Sequence, residues 1–81
     1  MRLLNIGNAA SVDLAEQGWP FQQGADVLAV STGTGKLTGN NDNGSTWTDI
    51  TPALTANTWV TTKLPYRYVK ASSGTIQLIS N

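Results

Sequence analysis

Apolar and polar residues alternate in short runs along most of the chain, and a period of two indicates β-strands. The clearest runs are residues 26–31, Asp-Val-Leu-Ala-Val-Ser, and residues 58–64, in which Trp59, Thr61 and Lys63 are expected on one face. β-Branched and aromatic residues, which strands favour, are common in these runs. Further strands are predicted at residues 2–6, 36–38, 46–50, 66–71 and 75–80.

Residues 9–16 fit two patterns. Val12 and Leu14 alternate with Asp13 and Ala15, which is typical of a strand. The same segment also fits a short helix that Ser11 caps and a glycine ends. We favour the strand, and the helix is the alternative.

Turn-forming residues separate the predicted strands. Pro20 lacks a backbone donor and excludes a central strand at residues 17–24, and Pro65 ends the strand before it. Residues 32–35, Thr-Gly-Thr-Gly, form a turn, and Ser-Ser-Gly at residues 72–74 predicts a hairpin between the last two strands.

These elements predict one domain, residues 1–81, with an all-β fold. The expected architecture is a small antiparallel β-sandwich, jelly-roll-like, of seven to eight short strands. Its core should contain the inward-facing apolar residues of each run. The predicted core comprises Val27 or Leu28, Trp47, Val60, Val69, Ile76 and Leu78.

Asn, Asp and Gly are concentrated at residues 40–47, which read Asn-Asn-Asp-Asn-Gly-Ser-Thr-Trp. Such a cluster between two strand-like runs predicts a hairpin, with Gly44 in the left-handed conformation and Asp42 as a side-chain cap. The segment resembles the Asp-box of sialidase propellers, Ser-x-Asp-x-Gly-x-Thr-Trp, which implies a structural turn at the periphery of the fold. Asn40 stands where the Ser is usual, and the matching residues are Asp42, Gly44, Thr46 and Trp47. Calcium binding is the alternative, but a calcium loop uses several carboxylates and this one has a single Asp.

Charge and composition exclude several classes of function. The five basic and five acidic residues cancel, which argues against a nucleic-acid-binding surface and a polybasic membrane patch. The chain has neither Cys nor His, so a disulfide or a thiolate metal site is impossible. We expect no cofactor, metal, nucleic acid or membrane partner. The first residues are too short an apolar run for a signal peptide, which predicts a protein made in a cytoplasm.

The chain offers few catalytic candidates. Its acidic residues are scattered and form no recognisable pair, whereas glycosidases, for example, need two carboxylates. The acidic residues are Asp13, Glu16, Asp26, Asp42 and Asp49. We therefore expect a protein that is not an enzyme.

Aromatic side chains are the better candidates for binding, because exposed rings can stack on sugars or pack against a partner. The possible interaction surface comprises Trp19, Phe21, Trp59 and Tyr66. An alternative for Trp19 and Phe21 is that they close one end of the core. A second alternative places Trp47 and one of Trp59 or Tyr68 in the core.

A longer pattern begins at Gly35. It reads Gly-Lys-Leu-Thr, then Asn-Asp-Asn-Gly-Ser-Thr-Trp-Thr-Asp-Ile, then Leu-Pro-Tyr-Arg-Tyr-Val-Lys. This half of the chain resembles small β-sandwich virion proteins of tailed bacteriophages. The resemblance implies a head decoration or cement protein that binds the major capsid protein from outside, often as a homotrimer. It also implies a location on the capsid surface of the virion, after assembly in the host cytoplasm.

The Asn-Asp-Gly/Trp and Arg-Tyr-Val pieces also resemble part of a discoidin-type sandwich. A discoidin domain is nearly twice as long, and its ligand loops have no counterpart here. This second resemblance implies a lectin-like module of a phage tail or fibre, which binds a carbohydrate or a receptor.

The chain is short for a stable sandwich. Surface scaling gives about 4,700 Å² folded and about 12,500 Å² extended. With about 60% of the buried difference apolar, burial contributes on the order of 115 kcal/mol. Ordering the chain costs roughly 120 kcal/mol. Because the two nearly cancel and no disulfide is possible, oligomerisation is the expected supplement. Residues 1–8 are the predicted arm for contacts outside the subunit.

Overall fold

The computed structural model describes residues 2–80 and contains eight β-strands and one short helix. The strands form two four-stranded antiparallel sheets, which confirms the all-β sandwich. The elements are β1 (Arg2–Ile6), β2 (Val12–Asp13), α1 (Leu14–Gln17), β3 (Asp26–Ser31), β4 (Leu37–Asn40), β5 (Thr48–Asp49), β6 (Val60–Lys63), β7 (Tyr68–Ala71) and β8 (Ile76–Ser80).

The strand pairs are nested in the sequence. β1 pairs with β8, β2 with β7, β3 with β6 and β4 with β5, as in one long hairpin that has been folded over. Additional pairing of β3 with β8 and of β4 with β7 completes the sheets. The first sheet has the order β1-β8-β3-β6 and the second has β2-β7-β4-β5. This nested arrangement of eight strands in two sheets is a jelly roll.

The predicted hairpin between the last two strands is wrong. β7 lies in the second sheet and β8 in the first, so residues 72–75 cross from one sheet to the other. Backbone hydrogen bonds link this crossing to residues 32–36, which connect β3 to β4. The Ser72 N–H donates to the Lys36 carbonyl at 2.9 Å, and the Thr32 N–H donates to the Thr75 carbonyl at 3.1 Å. Turn residues alone do not distinguish a hairpin from such a crossing.

Both interpretations of residues 9–16 hold for part of the segment. β2 is a two-residue strand, and the one-turn helix α1 follows it directly. Asp13 caps this helix, because its carboxylate accepts the Ala15 N–H at 3.0 Å. Ser11 therefore does not cap the helix. Gly18 ends it with a φ of 67°, a conformation that glycine adopts without strain.

The core lies between the two sheets and confirms most of the predicted residues. Val27, Val69, Ile76 and Leu78 are buried, and Val60 packs against them from a half-buried position. The other buried members of the cluster are Ile6, Leu14, Phe21, Ala29, Leu37, Leu54, Leu64 and Ala71. Leu28 points away from the core, so of the two residues Val27 or Leu28 only the valine is internal.

Trp47 does not belong to the core, contrary to prediction. Lys70 alternates with the core residues Val69 and Ala71, so its side chain points to the outer face of the second sheet. The Lys70 Nζ lies 5.0 Å from the centroid of the Trp47 ring, a cation–π distance. Trp47 is thus half-buried on the outside. Trp59 is exposed and Tyr68 half-buried, so neither replaces it in the core cluster.

Within the described residues the predicted N-terminal arm is a paired strand and not a free arm, and its contacts outside the subunit stay a prediction. Residues 2–6 are β1, which pairs along its whole length with β8. Ile6 is buried in the core, and the Gly7 carbonyl accepts the Ala71 N–H at 3.0 Å. The apolar alternation of this segment therefore builds an edge strand of the first sheet. Met1 lies outside the described residues.

The Asn-rich turn joins β4 to β5, which confirms the central hairpin. Asp42 Oδ1 accepts the Gly44 N–H at 2.9 Å. Asn40 organises the loop more extensively. Its side-chain amide donates to the Gly44 and Thr46 carbonyls at 3.2 and 3.1 Å, and its oxygen accepts the Asn43 N–H at 3.0 Å.

The left-handed residue of this turn is Asn43, with a φ of 54°, and not Gly44 as predicted. Asparagine tolerates this conformation better than most residues with a side chain. At Gly44 a Cβ atom would lie 3.1 Å from Asp42 Oδ1. The glycine is therefore favoured here by the close approach of the capping carboxylate.

We predict that Gly39→Ala destabilises the protein by about 2 kcal/mol, because a Cβ at Gly39 would lie 2.8 Å from Cδ2 of the Tyr66 ring and 2.9 Å from the Tyr68 carbonyl oxygen. Urea denaturation measures this difference. Gly33→Ala is the matched control, since no atom lies within 4 Å of its added methyl group, and it should change stability by less than about 1 kcal/mol. Equal stability of the two variants would contradict this packing.

We predict that Asn40→Ala costs about 2 kcal/mol of unfolding free energy, because three hydrogen bonds disappear around a buried side chain. Asp42→Ala removes one exposed hydrogen bond and should cost about 1 kcal/mol or less. Thermal melts of both variants give the comparison. A larger loss for Asp42→Ala, or loss of ligand binding without a loss of stability, would show that Asp42 has another role.

Candidate interaction surface

The outer face of the first sheet carries a row of apolar side chains. Directly opposed residues of an antiparallel sheet point to the same side. Leu4 and Ile6 pair with the core residues Leu78 and Ile76, so Leu3 and Asn5, which alternate with them along β1, point outward. Across the strands, this row consists of Leu3 of β1, Ile79 of β8, Leu28 of β3 and Thr61 of β6.

A second row lies beside the first. Asn5 and Val30 flank Gln77 from its two sides. Alternation along β6 places Trp59, the residue before this strand, on the same side as Thr61 and Lys63. We call the surface formed by both rows the apolar face; its residues are Leu3, Asn5, Leu28, Val30, Trp59, Thr61, Gln77 and Ile79.

Large apolar side chains of this face are open to solvent. Leu3, Leu28 and Trp59 expose 52%, 41% and 53% of their surface. Ile79 is 9% exposed although it lies outside the core cluster, because its neighbours Leu3 and Leu28 cover it. Single exposed apolar residues are common on proteins, but a contiguous group indicates a surface that binds something.

Two shallow grooves follow the apolar face. One has a volume of about 270 Å³, and Leu28, Thr61 and Ile79 line it. The other has a volume of about 230 Å³, and Asn5, Val30 and Gln77 contribute to its wall. The face is therefore uneven enough to receive side chains of a partner.

The apolar face is electrically neutral. Asp26 and Lys63 are opposed across β3 and β6, and Lys63 Nζ lies 2.9 Å from Asp26 Oδ1. Both side chains are well exposed, so the pair contributes little to folding stability. Its effect is to leave the charges at this end of the face paired with each other.

The outer face of the second sheet has a different character. Lys36 binds Asp49 at 3.0 Å, and Lys70 lies over Trp47. Arg67 forms two hydrogen bonds to the Asp13 carboxylate, at 2.9 and 3.0 Å. We call this surface the charged face; its residues are Asp13, Lys36, Trp47, Asp49, Arg67, Tyr68 and Lys70.

The hydrogen bonds between Arg67 and Asp13 shift the pKa of both groups. They lower the pKa of Asp13 below its ordinary value of 3.8, against a smaller opposing effect of desolvation. They also raise the pKa of Arg67. Asp13 therefore stays ionised and keeps two roles, as the cap of α1 and as the partner of Arg67.

The structure does not bring the four predicted aromatic residues together. Trp59 belongs to the apolar face. Trp19 exposes 68% of its surface in the loop before β3, whose residues Gln23 and Gly24 are bonded to Pro65 and Leu64 at the far end of β6. About 13 Å of strand separates Trp59 from Lys63, beside the end of β6 at which this loop is bonded.

Phe21 and Tyr66 have structural positions instead. Phe21 is buried in the core cluster, so its place in the predicted interaction surface is wrong and the alternative, a residue that closes the core, is correct. Tyr66 is half-buried, and its ring covers Gly39. The sequence did not single out Leu3, Leu28 or Ile79 as a group, because only the strand register places them side by side.

Within residues 2–80 no three His, Cys, Asp or Glu side chains form a group that could hold a metal ion. No helix of this part of the chain is long and apolar enough to cross a membrane. Comparison with protein-family models, curated proteins and solved structures finds no match to this chain.

Proposed function

We propose that this protein is a virion structural protein of a tailed bacteriophage, a decoration or cement protein that binds the outside of the head. The observation that carries the proposal is the apolar face, a neutral and partly exposed surface on a small jelly roll. The resemblance of residues 35–70 to phage β-sandwich proteins supplies the class of partner, the major capsid protein.

The chemistry of the apolar face suits a static contact with another protein. Burying Leu3, Leu28 and Trp59 against a partner removes apolar surface from water, and the free energy gained grows with the area covered. The Asp26–Lys63 pair adds no net charge that would repel a partner or steer one over long distances. Such a surface favours stable attachment over rapid, charge-driven exchange.

Binding of this kind stabilises a capsid by mass action. A protein that binds the assembled shell, and not its separated subunits, shifts the equilibrium toward the assembled state. Many copies on one particle act together, so even a modest affinity of each copy resists disassembly. The jelly-roll fold is compatible with this assignment but does not single it out, because jelly rolls occur both in viral capsid proteins and in lectins.

A lectin-like module is the second candidate, and exposed Trp19 is the observation that favours it. An open indole can stack on a sugar ring. Trp59 precedes β6, whereas the loop that carries Trp19 is bonded beyond the other end of this strand. A glycan site would therefore depend on Trp19 with its own loop, and Trp59 would have no part in it.

Copy number on purified particles separates the two candidates. We expect hundreds of copies per particle by quantitative mass spectrometry, in proportion to the major capsid protein. We also expect particles without the protein to release their DNA at a lower temperature. A few copies per particle, together with binding of the isolated protein to a glycan array, would favour the lectin-like module.

We predict that Trp59→Ala weakens binding to particles about 30-fold, since truncating a buried tryptophan of an interface often costs about 2 kcal/mol. Trp19→Ala is the matched control, because it removes the same side chain from an even more exposed position away from the apolar face. Cosedimentation with particles measures both variants. Loss of binding in Trp19→Ala with full binding in Trp59→Ala would contradict the proposed docking surface.

A further inference from the structure

Three of the four sheet edges are protected against the addition of another strand. β2 and β5 are two residues long, which is too short to template a partner. β6 ends in Lys63, and Pro65 follows closely. Lysine and proline are both common protective residues at sheet edges.

β1 has none of these protections. It is five residues long, contains neither Pro nor Lys, and within residues 2–80 its strand pairing is with β8 alone. About half of the backbone N–H and C=O groups of an antiparallel edge strand point away from the sheet. An open edge of this kind is a template for a further strand.

We propose that β1 pairs with β1 of a second copy of this chain, antiparallel about a two-fold axis. The two first sheets would then form one continuous sheet of eight strands. This inference does not rest on the virion proposal, because it concerns the isolated protein and the open backbone edge of β1.

One register pairs all five residues of β1 with those of a second copy. It places Leu4 on the axis, opposite Leu4 of the second copy. Leu3 then lies opposite Asn5, and Arg2 lies opposite Ile6. The contact is self-complementary, as a two-fold interface requires.

This register covers the apolar side chains of β1. Leu4 is half-buried and packs against the core, and its counterpart would approach to about 5 Å between Cβ atoms. The two copies of Leu3 would be diagonal neighbours on the outer side, about 7–8 Å apart. Their contact would join the apolar faces of the two copies into one surface.

Charge does not oppose a second copy as the partner. Arg2 is the single charged residue of β1. In the register centred on Leu4 the two copies of Arg2 lie at opposite ends of the paired strands, about 13 Å apart. This separation exceeds the Debye length of about 8 Å at physiological salt, so their repulsion is largely screened.

The expected affinity is modest. Five residues a side is well below the 20–30 residues a side, roughly, of a standard stable interface. We therefore expect a dimer that dissociates on dilution. Sedimentation equilibrium over roughly 1 µM to 1 mM covers the range of dissociation constants expected for such a contact.

The test begins with the mass of the isolated protein. We expect it to rise with concentration from that of one 8.6 kDa chain toward that of two. A single-chain mass at every concentration would overturn the inference. A mass of three chains, the trimer that the phage resemblance implies, would overturn it as well, since three subunits cannot all pair through two-fold contacts.

Two lysine variants then locate the contact. Leu3→Lys should raise the dissociation constant tenfold or more, because it places like charges beside each other at the paired edge. Leu28→Lys introduces the same residue on the same face but in a central strand, and should leave the dimer intact. The reverse result would mean that the apolar faces stack on each other and would overturn the edge pairing.

A cysteine variant tests the register even if Leu3→Lys does not fold. The chain has no cysteine, so Leu4→Cys introduces a single thiol. Opposed Cα atoms of antiparallel strands lie about 4.5–5.5 Å apart, within the range of a disulfide. Mild oxidation should give a covalent dimer of Leu4→Cys and a monomer of the control Thr61→Cys. Equal crosslinking of the two variants would overturn the proposed axis.

Discussion

Each sheet of a two-layer sandwich can bury one face against the other sheet, and this constraint governs the whole molecule. The outer face of the second sheet is mostly polar: Arg67 binds Asp13, and Lys70 covers Trp47. In the first sheet Leu3, Leu28 and Ile79 face outward from strands whose inner residues already form the core. The first sheet therefore carries apolar side chains on both sides, and we propose its outer side as the docking surface.

The nested strand pairing places that surface. Because β1 and β8 come from the two ends of the chain and meet at the edge of the first sheet, Leu3 and Ile79 become neighbours. β3 then continues the same row with Leu28. A change of one residue in this register would turn the outward side chains into the core. The core and the outer surface of the first sheet are thus specified by the same pairings.

Much of the fold was predictable from local pattern. Period-two alternation located β1 and β3 at their observed bounds and the other strands within a few residues. Local pattern did not reveal which strands pair, so the crossing at residues 72–75 was predicted as a hairpin. Trp47 was misplaced for a related reason: its hydrophobicity suggested the core, whereas Lys70 of β7, two strands away in the sheet, covers the ring on the outside.

The candidate surface was less predictable than the fold. The turn at residues 40–47 was visible in the sequence because Asn, Asp and Gly act locally, although Asn43 and not Gly44 adopts the left-handed conformation. The apolar face depends on contacts between residues up to 76 positions apart, such as Leu3 and Ile79. Of the predicted aromatic residues, Trp59 alone lies on it, and Phe21 is internal. The turn depends on neighbouring residues and can be predicted from them, whereas the apolar face depends on the register between strands that are distant in the sequence.

Hydroxyl-radical footprinting of the protein, free in solution and bound to particles, tests most directly whether the apolar face is the docking surface. Tryptophan oxidation is read at each position by mass spectrometry, and Trp59 and Trp19 start from comparable exposure. We expect particles to protect Trp59 and Leu28 and to leave Trp19 reactive. Protection of Trp19 or of the charged face around Trp47, with Trp59 still reactive, would contradict the assignment.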